Sequence, residues 1–245
     1  NGAGKTTTFN AICGVINPTS GKVVLDGRDV WRMSTHQRAR VGIGRTFQRL
    51  EVFSSLTVRD NVRVGLEIRK GWSRRRAPAP AFLADGADIS PVDEVELILR
   101  RLQLTELAEL PVGSLPTGQA RLVELGRALA ARPRVLLLDE PASGLDERET
   151  EDFGDLLVDL SRAGLGILLV EHDISLVMRV CEQLSVLDFG QVIAAGDPDE
   201  IRSNEAVLAA YLGAPAGDDD LVGAAAIAEA AGHANGHGPV PGEAS

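Results

Sequence analysis

Residues 135–141 read VLLLDEP, four consecutive apolar residues that end abruptly on two carboxylates and a proline. An apolar run of that length, with no polar alternation, marks a strand buried on both faces, and such strands belong to sheets covered by helices on either side. In open α/β sheets the ends of those strands border the crevice where ligands bind. Asp139 and Glu140 therefore stand where chemistry is done. An acidic turn after a core strand would look the same, so the rest of the chain has to decide between the two readings.

Working outward, the pattern alternates. A helix from about Gly118 precedes RVLLLD at 134–139; a helix over about 147–163, a second apolar strand GILLVE at 166–171, another helix and the paired strands of LSVLDFGQVIAAG at 184–196 follow it. Short apolar runs alternating with helices predict a largely parallel sheet covered on both faces. Upstream, Phe9, Ile12, Cys13 and Ile16 fall at i, i+3, i+4 and i+7, one apolar face of a helix that NPTSG at 17–21 ends. KVVLDGRDV at 22–30 reads as a hairpin about Asp26-Gly27, and VGIGRTFQ at 41–48 as a strand. Val95, Ile98, Leu99 and Leu102 repeat the helical spacing, whereas GWSRRRAPAPAFLADGAD at 71–88 is an exposed connection whose Arg74, Arg75 and Arg76 are solvated. Residues of about 49–114 thus form a mainly helical insertion between two α/β parts.

Composition narrows the function. A chain of 245 residues buries one core, or one core plus a lobe. Its longest apolar stretches fall far short of the ~20 residues of a membrane span, and no charged-then-apolar targeting segment opens it; a cytosolic location fits. Cys13 and Cys181 lack metal-ligand spacing and read as buried thiols in a reducing compartment. A net charge of −10 argues against general affinity for nucleic acid. Half of it belongs to Asp218, Asp219, Asp220, Glu229 and Glu243, in a segment from Gly213 onward without Lys or Arg. That Ala/Gly-rich segment buries too little to order itself, with LVGAAAIAEAA at 221–231 a marginal helix at most.

The chain opens on NGAGKTTTFN. A phosphate-binding loop has the form G-x-x-x-x-G-K-[ST]: backbone N–H groups wrap the phosphates, the lysine neutralises charge and the hydroxyl holds Mg²⁺. Gly4, Lys5 and Thr6 supply the last three elements in front of a helix whose N-terminal end favours an anion. The first glycine of the pattern would fall before Asn1, so the expectation is a loop truncated at its start. Set beside this loop, Asp139 and Glu140 gain roles in phosphoryl transfer, one holding Mg²⁺ through water and the other polarising the attacking water.

Six stretches now stand in a familiar order. NGAGKTT at 1–7, Gln48 in GRTFQ, LPTGQ at 115–119, VLLLDEP, SGLD at 143–146 and EHD at 171–173 resemble the Walker A, Q-loop, signature, Walker B, D-loop and switch-histidine segments of ABC transporter nucleotide-binding subunits. The resemblance runs from Asn1 to about Gly213. It implies an α/β P-loop NTPase (RecA-like) core with a partial antiparallel β-subdomain and an inserted α-helical subdomain: core at 1–48 and 115–213, helical subdomain at 49–114, unordered tail at 214–245. It also implies ATP and Mg²⁺ as ligands, and ahead of Asn1 a strand and an aromatic residue to stack on adenine, so that a chain beginning at Asn1 is expected to bind ATP weakly. Asn1, Gly2, Ala3, Gly4, Lys5, Thr6 and Thr7 would surround the phosphates, with Thr6, Gln48 and Asp139 facing the metal. Glu140, His172 and Gln48 would act on the attacking water and the γ-phosphate. Thr117, Gly118, Gln119 and Asp146 would meet nucleotide across the interface with a second ATPase subunit, a copy or a relative, bound head to tail. The signature departs from Leu-Ser-Gly-Gly-Gln: Pro116 stands for its serine and Thr117 for its first glycine. One reading has Thr117 supply the missing hydroxyl, Gly118 allow close backbone approach and Pro116 stiffen the loop; the other has Thr117 only cap the helix.

GIGRTFQRLEVFSSLTVRDNV at 42–62, LLVEHDISLVMRVCEQLSVLDFGQVIAAGDPDEI at 168–201 and AVLAAYLG at 206–213 resemble ATPases of importers of the branched-chain amino acid type. This implies a permease, indirectly a solute-binding protein, and a place on the inner face of the cell membrane. Coupling would run through Gln48 and residues 49–60. A pI of about 4.9 and no basic amphipathic helix suit docking on protein rather than lipid. Two alternatives stay open: a regulatory subunit with weak hydrolysis, suggested by the altered signature, and a soluble ABC ATPase working on DNA or ribosomes, which would bring a second ATPase domain, a coiled coil or a basic surface. No Asn-Lys-x-Asp stretch supports a GTPase.

Overall fold

The structure, a computed structural model, describes residues 3–72, 90–212 and 226–230. Asn1, Gly2, the connection with Arg74, Arg75 and Arg76, and the tail apart from 226–230 lie outside the described residues.

Helix α1 (Lys5–Cys13) comes first and ends at Gly14, whose φ of +75° lets its N–H turn back to the carbonyls of the last turn. The apolar spacing predicts one more turn, to Ile16; the glycine closes the helix before it and leaves Ile16 at the surface. Strands β1 (Val24–Leu25) and β2 (Arg28–Asp29) pair antiparallel. The two residues between them, Asp26 at φ +46° and Gly27 at φ +75°, are both left-handed, as a tight hairpin of this hand requires. Helix α2 (Thr35–Val41) then leads into β3 (Ile43–Arg45), α3 (Val58–Trp72), α4 (Pro91–Arg101), α5 (Thr117–Ala130), β4 (Val135–Asp139), α6 (Glu147–Arg162), β5 (Gly166–Glu171) and α7 (Ile174–Val180). Strands β6 (Gln183–Asp188) and β7 (Gln191–Gly196), helices α8 (Pro198–Arg202) and α9 (Glu205–Leu212), and β8 (Ala226–Ala230) complete the described chain.

The main sheet has the order β3-β4-β5-β8-β6-β7. Strands β3, β4 and β5 are parallel and in register, with Arg45 beside Leu137 and Asp139 beside Val170. Side chains on a strand alternate between faces, and the two apolar strands show it. Leu136 and Leu138 of β4 and Ile167 and Leu169 of β5 join the larger core with α5, α6 and α7. Leu137 and Val170 join Phe9 and Cys13 of α1 in a smaller one. An uninterrupted apolar run was needed because both faces are covered, and it brings the C-terminal ends of β3, β4 and β5 side by side.

A helical layer of α3 and α4 packs on α5. Val58, Val62 and Leu66 meet Val95, Ile98 and Leu99 within the larger core. The layer sits close: a Cβ at Gly65 would lie 2.1 Å from the Arg127 carbonyl oxygen of α5, a distance only glycine avoids. Its buried charged tie is Glu94, 1% exposed, which accepts from both Arg69 (2.5 and 2.7 Å) and Arg132 (2.9 and 2.8 Å), and nearer the surface Arg59 of α3 pairs with Glu96 of α4.

Residues 226–230 depart from the unordered tail and marginal helix expected of that segment. They form β8, antiparallel to β5 on one side and to β6 on the other. The reason is backbone chemistry: ladder hydrogen bonds ask only for N–H and C=O groups, which an alanine-rich strand offers as fully as any other. Apolar content, on which the expectation rested, does not report that demand.

Candidate functional site

Helix α1 begins at Lys5 behind Gly4, whose left-handed φ of +96° turns the chain sharply into it. No side chain caps this end, so its first N–H groups face outward, the arrangement that binds anions. Ala3 is buried and its carbonyl accepts from Gly190 N–H at 3.1 Å, which fastens the loop to the β6–β7 turn. Lys5 is half-buried, while Thr6 and Thr7 are exposed at the mouth of the helix.

Across from this loop the ends of β3, β4 and β5 gather six polar groups. Asp139, 5% exposed, takes a guanidinium N–H of Arg45 on Oδ2 at 3.0 Å. Glu140 follows at φ +48°, and its Oε2 accepts from the Gln48 amide at 2.8 Å. With that nitrogen engaged, the Gln48 carbonyl oxygen is the atom left for a cation. Glu171, 1% exposed, ends β5 and accepts from the backbone N–H groups of Ala142 (2.8 Å) and His172 (3.2 Å). Burial pushes its carboxyl above the usual carboxylate range, against the pull of those two donors. His172 itself is exposed, its Nδ1 3.6 Å from Glu171.

The second group of predicted residues lies elsewhere. Thr117 is the first residue of α5, and the capping position before it is Pro116, which makes no side-chain cap bond. The alternative in which Thr117 merely caps the helix is therefore not what the structure has, and Thr117 is exposed. Gly118 is buried, and the close approach its missing Cβ permits is to Glu149 Oε1, which a Cβ would meet at 2.5 Å. Gln119 borders a cavity of about 340 Å³ between α4, α5 and α6, together with Arg148 and Glu149. Asp146 caps α6, accepting from Glu149 N–H at 2.8 Å in a reciprocal capping box. Among the described residues, then, the close contacts of Thr117, Gly118 and Asp146 run to the start of α6 and its preceding turn, not to the Lys5 loop.

Three residues that the sequence reading passes over hold the first group in place. Arg45 binds Asp139, Glu171 holds the 140–142 turn, and Arg121 of α5 donates to the Gln48 carbonyl at 2.8 Å and the Phe47 carbonyl at 3.3 Å. Each is a charged residue with little exposure, and no local sequence pattern marks it because its partner is distant in sequence.

A family model described as "ABC transporter" matches residues 1–143, and one described as "Branched-chain amino acid ATP-binding cassette transporter" matches residues 191–217. A high-affinity branched-chain amino acid transport ATP-binding protein of Pseudomonas aeruginosa, BraF, is 38% identical over 87% of this chain and 84% of its own length. The Escherichia coli protein LivG, described in the same words, is 36% identical over the same shares. The lipopolysaccharide export system ATP-binding protein LptB of Haemophilus influenzae is 34% identical over 87% and 83%. Among solved structures, the ADP conformation of MJ1267, an ATP-binding cassette of an ABC transporter, superposes with a TM-score of 0.70 at 29% identity, covering 87% of this chain and 85% of the other.

Proposed function

The chain belongs to the ABC transporter ATPase family, and we propose that within it this protein drives import of branched-chain amino acids or related small solutes. As a member it is an ATP-binding, ATP-hydrolysing transporter subunit. The observation that carries the finer reading is the match of residues 191–217 to the branched-chain type, supported by the identity to BraF and LivG. The similarity to LptB favours a second reading, export of a lipid-linked glycan, at somewhat lower identity.

In this reading the uncapped end of α1 and Lys5 hold the phosphates of ATP, with Ala3, Gly4, Thr6 and Thr7 around them. The residues present fit a magnesium ion: Thr6 offers a hydroxyl, Gln48 its free amide oxygen and Asp139 the carboxylate oxygen that Arg45 leaves, a hard-oxygen set with one charge, as Mg²⁺ prefers when phosphates complete its shell. Bound there, Mg²⁺ neutralises charge on the β- and γ-phosphates. Glu140 accepts a proton from the attacking water, with Gln48 orienting its carboxylate; His172, exposed at the end of the next strand, contacts the γ-phosphate. Thr117, Gly118, Gln119 and Asp146, turned away from their own chain's phosphate loop, serve the nucleotide of a second ATPase subunit. A permease docks against the helical layer, placing the protein on the inner face of the membrane; among the described residues no helix is long and apolar enough to cross it.

The test joins chemistry to cargo. Glu140→Gln in the assembled transporter is expected to lower ATP turnover by about 10²-fold or more, the contribution of a general base, and to abolish leucine uptake while nucleotide still binds. Unchanged turnover removes Glu140 from the role and favours the regulatory-subunit alternative. Turnover lost with glycan export, rather than leucine uptake, failing in cells favours the LptB-like reading.

A further inference from the structure

We infer that Arg45 is a positioning residue for the nucleotide-bound metal site: it sets Asp139 and helix α1 in fixed relation so that their oxygens face one cation. The inference rests on the reading of Asp139 as a magnesium contact. Its basis is a buried fork. One guanidinium nitrogen of Arg45 donates to Asp139 Oδ2 at 3.0 Å and another to Asn10 Oδ1 at 2.6 Å, with the side chain 10% exposed. Asn10 lies four residues after Thr6 on α1, hence on the same face of that helix. Through one planar group the helix that carries Lys5 and Thr6 is thus pinned to the strand end that carries Asp139.

The surroundings fix the fork in turn. The guanidinium carbon lies 5.6 Å from the centroid of the Phe9 ring and 5.0 Å from that of Phe47. Cationic planes stack on aromatic faces, and an ammonium would match neither the stacking nor the two diverging acceptors. Arg45 takes only Oδ2 of Asp139, so the second oxygen is oriented without being occupied. Groups that orient a metal ligand in this way commonly govern metal affinity by about 10–100-fold when removed.

Affinity for a fluorescent ATP analogue, measured on the full natural subunit in excess Mg²⁺ and in EDTA, reads the metal-dependent gain directly. Arg45→Met is expected to cut that gain about tenfold and leave affinity in EDTA unchanged. Asp139→Asn should abolish the gain, and Arg45→Met added to it should do nothing further. If Asp139→Asn keeps the gain, the magnesium reading of Asp139 fails. If Asp139→Asn loses the gain while Arg45→Met keeps it, or weakens binding equally in Mg²⁺ and EDTA, the inference about Arg45 is overturned. Should Arg45→Met not fold, Arg45→Lys and Asn10→Ala carry the test: each should lose part of the gain, and full gain in both overturns it.

Discussion

Glu140 adopts φ +48°, a left-handed setting that costs a residue with a Cβ about 1–2 kcal/mol, immediately after the strand that ends on Asp139. Three hydrogen bonds hold it there: its own N–H to the Val170 carbonyl at 2.8 Å, Ser143 N–H to its carbonyl at 3.2 Å, and Ala142 N–H to Glu171 Oε1 at 2.8 Å. The last depends on a side chain, so it is the one a mutation removes. Glu171→Ala should leave the Ala142 N–H buried without an acceptor and cost about 1–3 kcal/mol, lowering the midpoint of thermal unfolding. With the turn loosened, turnover should fall more than nucleotide affinity. Glu171→Gln, which keeps an acceptor for Ala142, should cost less; equal stability and turnover in both variants would remove Glu171 from the turn's support. At this scale the place of Asp139 at the end of β4, with Glu140 just beyond it, was legible from the apolar run that precedes them. Glu171 and Arg45 were not, because their partners lie 29 and 94 residues away in sequence and no local pattern records the pairing.

Elements were legible where periodicity reported burial. The runs at 135–139 and 166–171 are strands because both their faces are covered, and Val95, Ile98, Leu99 and Leu102 are all buried as their spacing requires. Periodicity failed where backbone conformation decided: Gly14 ended α1 early, and β8 formed from ladder bonds. Charge inside an amphipathic helix is the other signal it misreads, and Glu94 is the case in point. Burial works against its charge, but the forks of Arg69 and Arg132 outweigh this and hold its carboxyl below the ordinary 4.5. A carboxyl depressed on folding contributes stability that is present above its unfolded pKa and lost as pH falls through the folded one. Glu94→Gln takes the carboxylate from Arg69 and Arg132 between α3, α4 and the α5–β4 turn, and breaking such a buried pair costs roughly 3–5 kcal/mol. Thermal unfolding of the two proteins should therefore differ most near neutral pH and converge as pH drops below the wild-type folded value. A gap that persists undiminished in acid would place the cost in packing rather than in the ion pairs.

Across the whole molecule, the proposed function requires closure on nucleotide at one end to reach the other, and α5 is the element that touches both. It begins at Thr117, in the loop read as meeting a second subunit's nucleotide. Its residues Arg121, Glu124 and Arg127, three apart and so on neighbouring faces, grip the chain that leaves Gln48. Arg121 holds the carbonyls of Phe47 and Gln48, Glu124 takes the Glu51 N–H at 3.2 Å, and Arg127 donates to the Glu51 carbonyl and stacks on Phe53 at 5.3 Å. Phe47 and Phe53 are each 48% exposed beside this grip, as apolar groups awaiting a partner would be. A shift of α5 must therefore carry Gln48 and both aromatics with it, since backbone carbonyls, unlike side chains, cannot turn away. Arg121→Gln together with Glu124→Gln tests this without leaving a buried carboxylate beside a missing arginine 3.6 Å away. In the importer proposed above, the pair is expected to keep nucleotide affinity and basal hydrolysis, whereas stimulation by that importer's loaded solute-binding protein should fall severalfold toward the basal rate. Full stimulation in a stably folded double variant would show that closure travels by another route, and loss of basal hydrolysis as well would mean that Arg121 serves Gln48 in the chemistry itself.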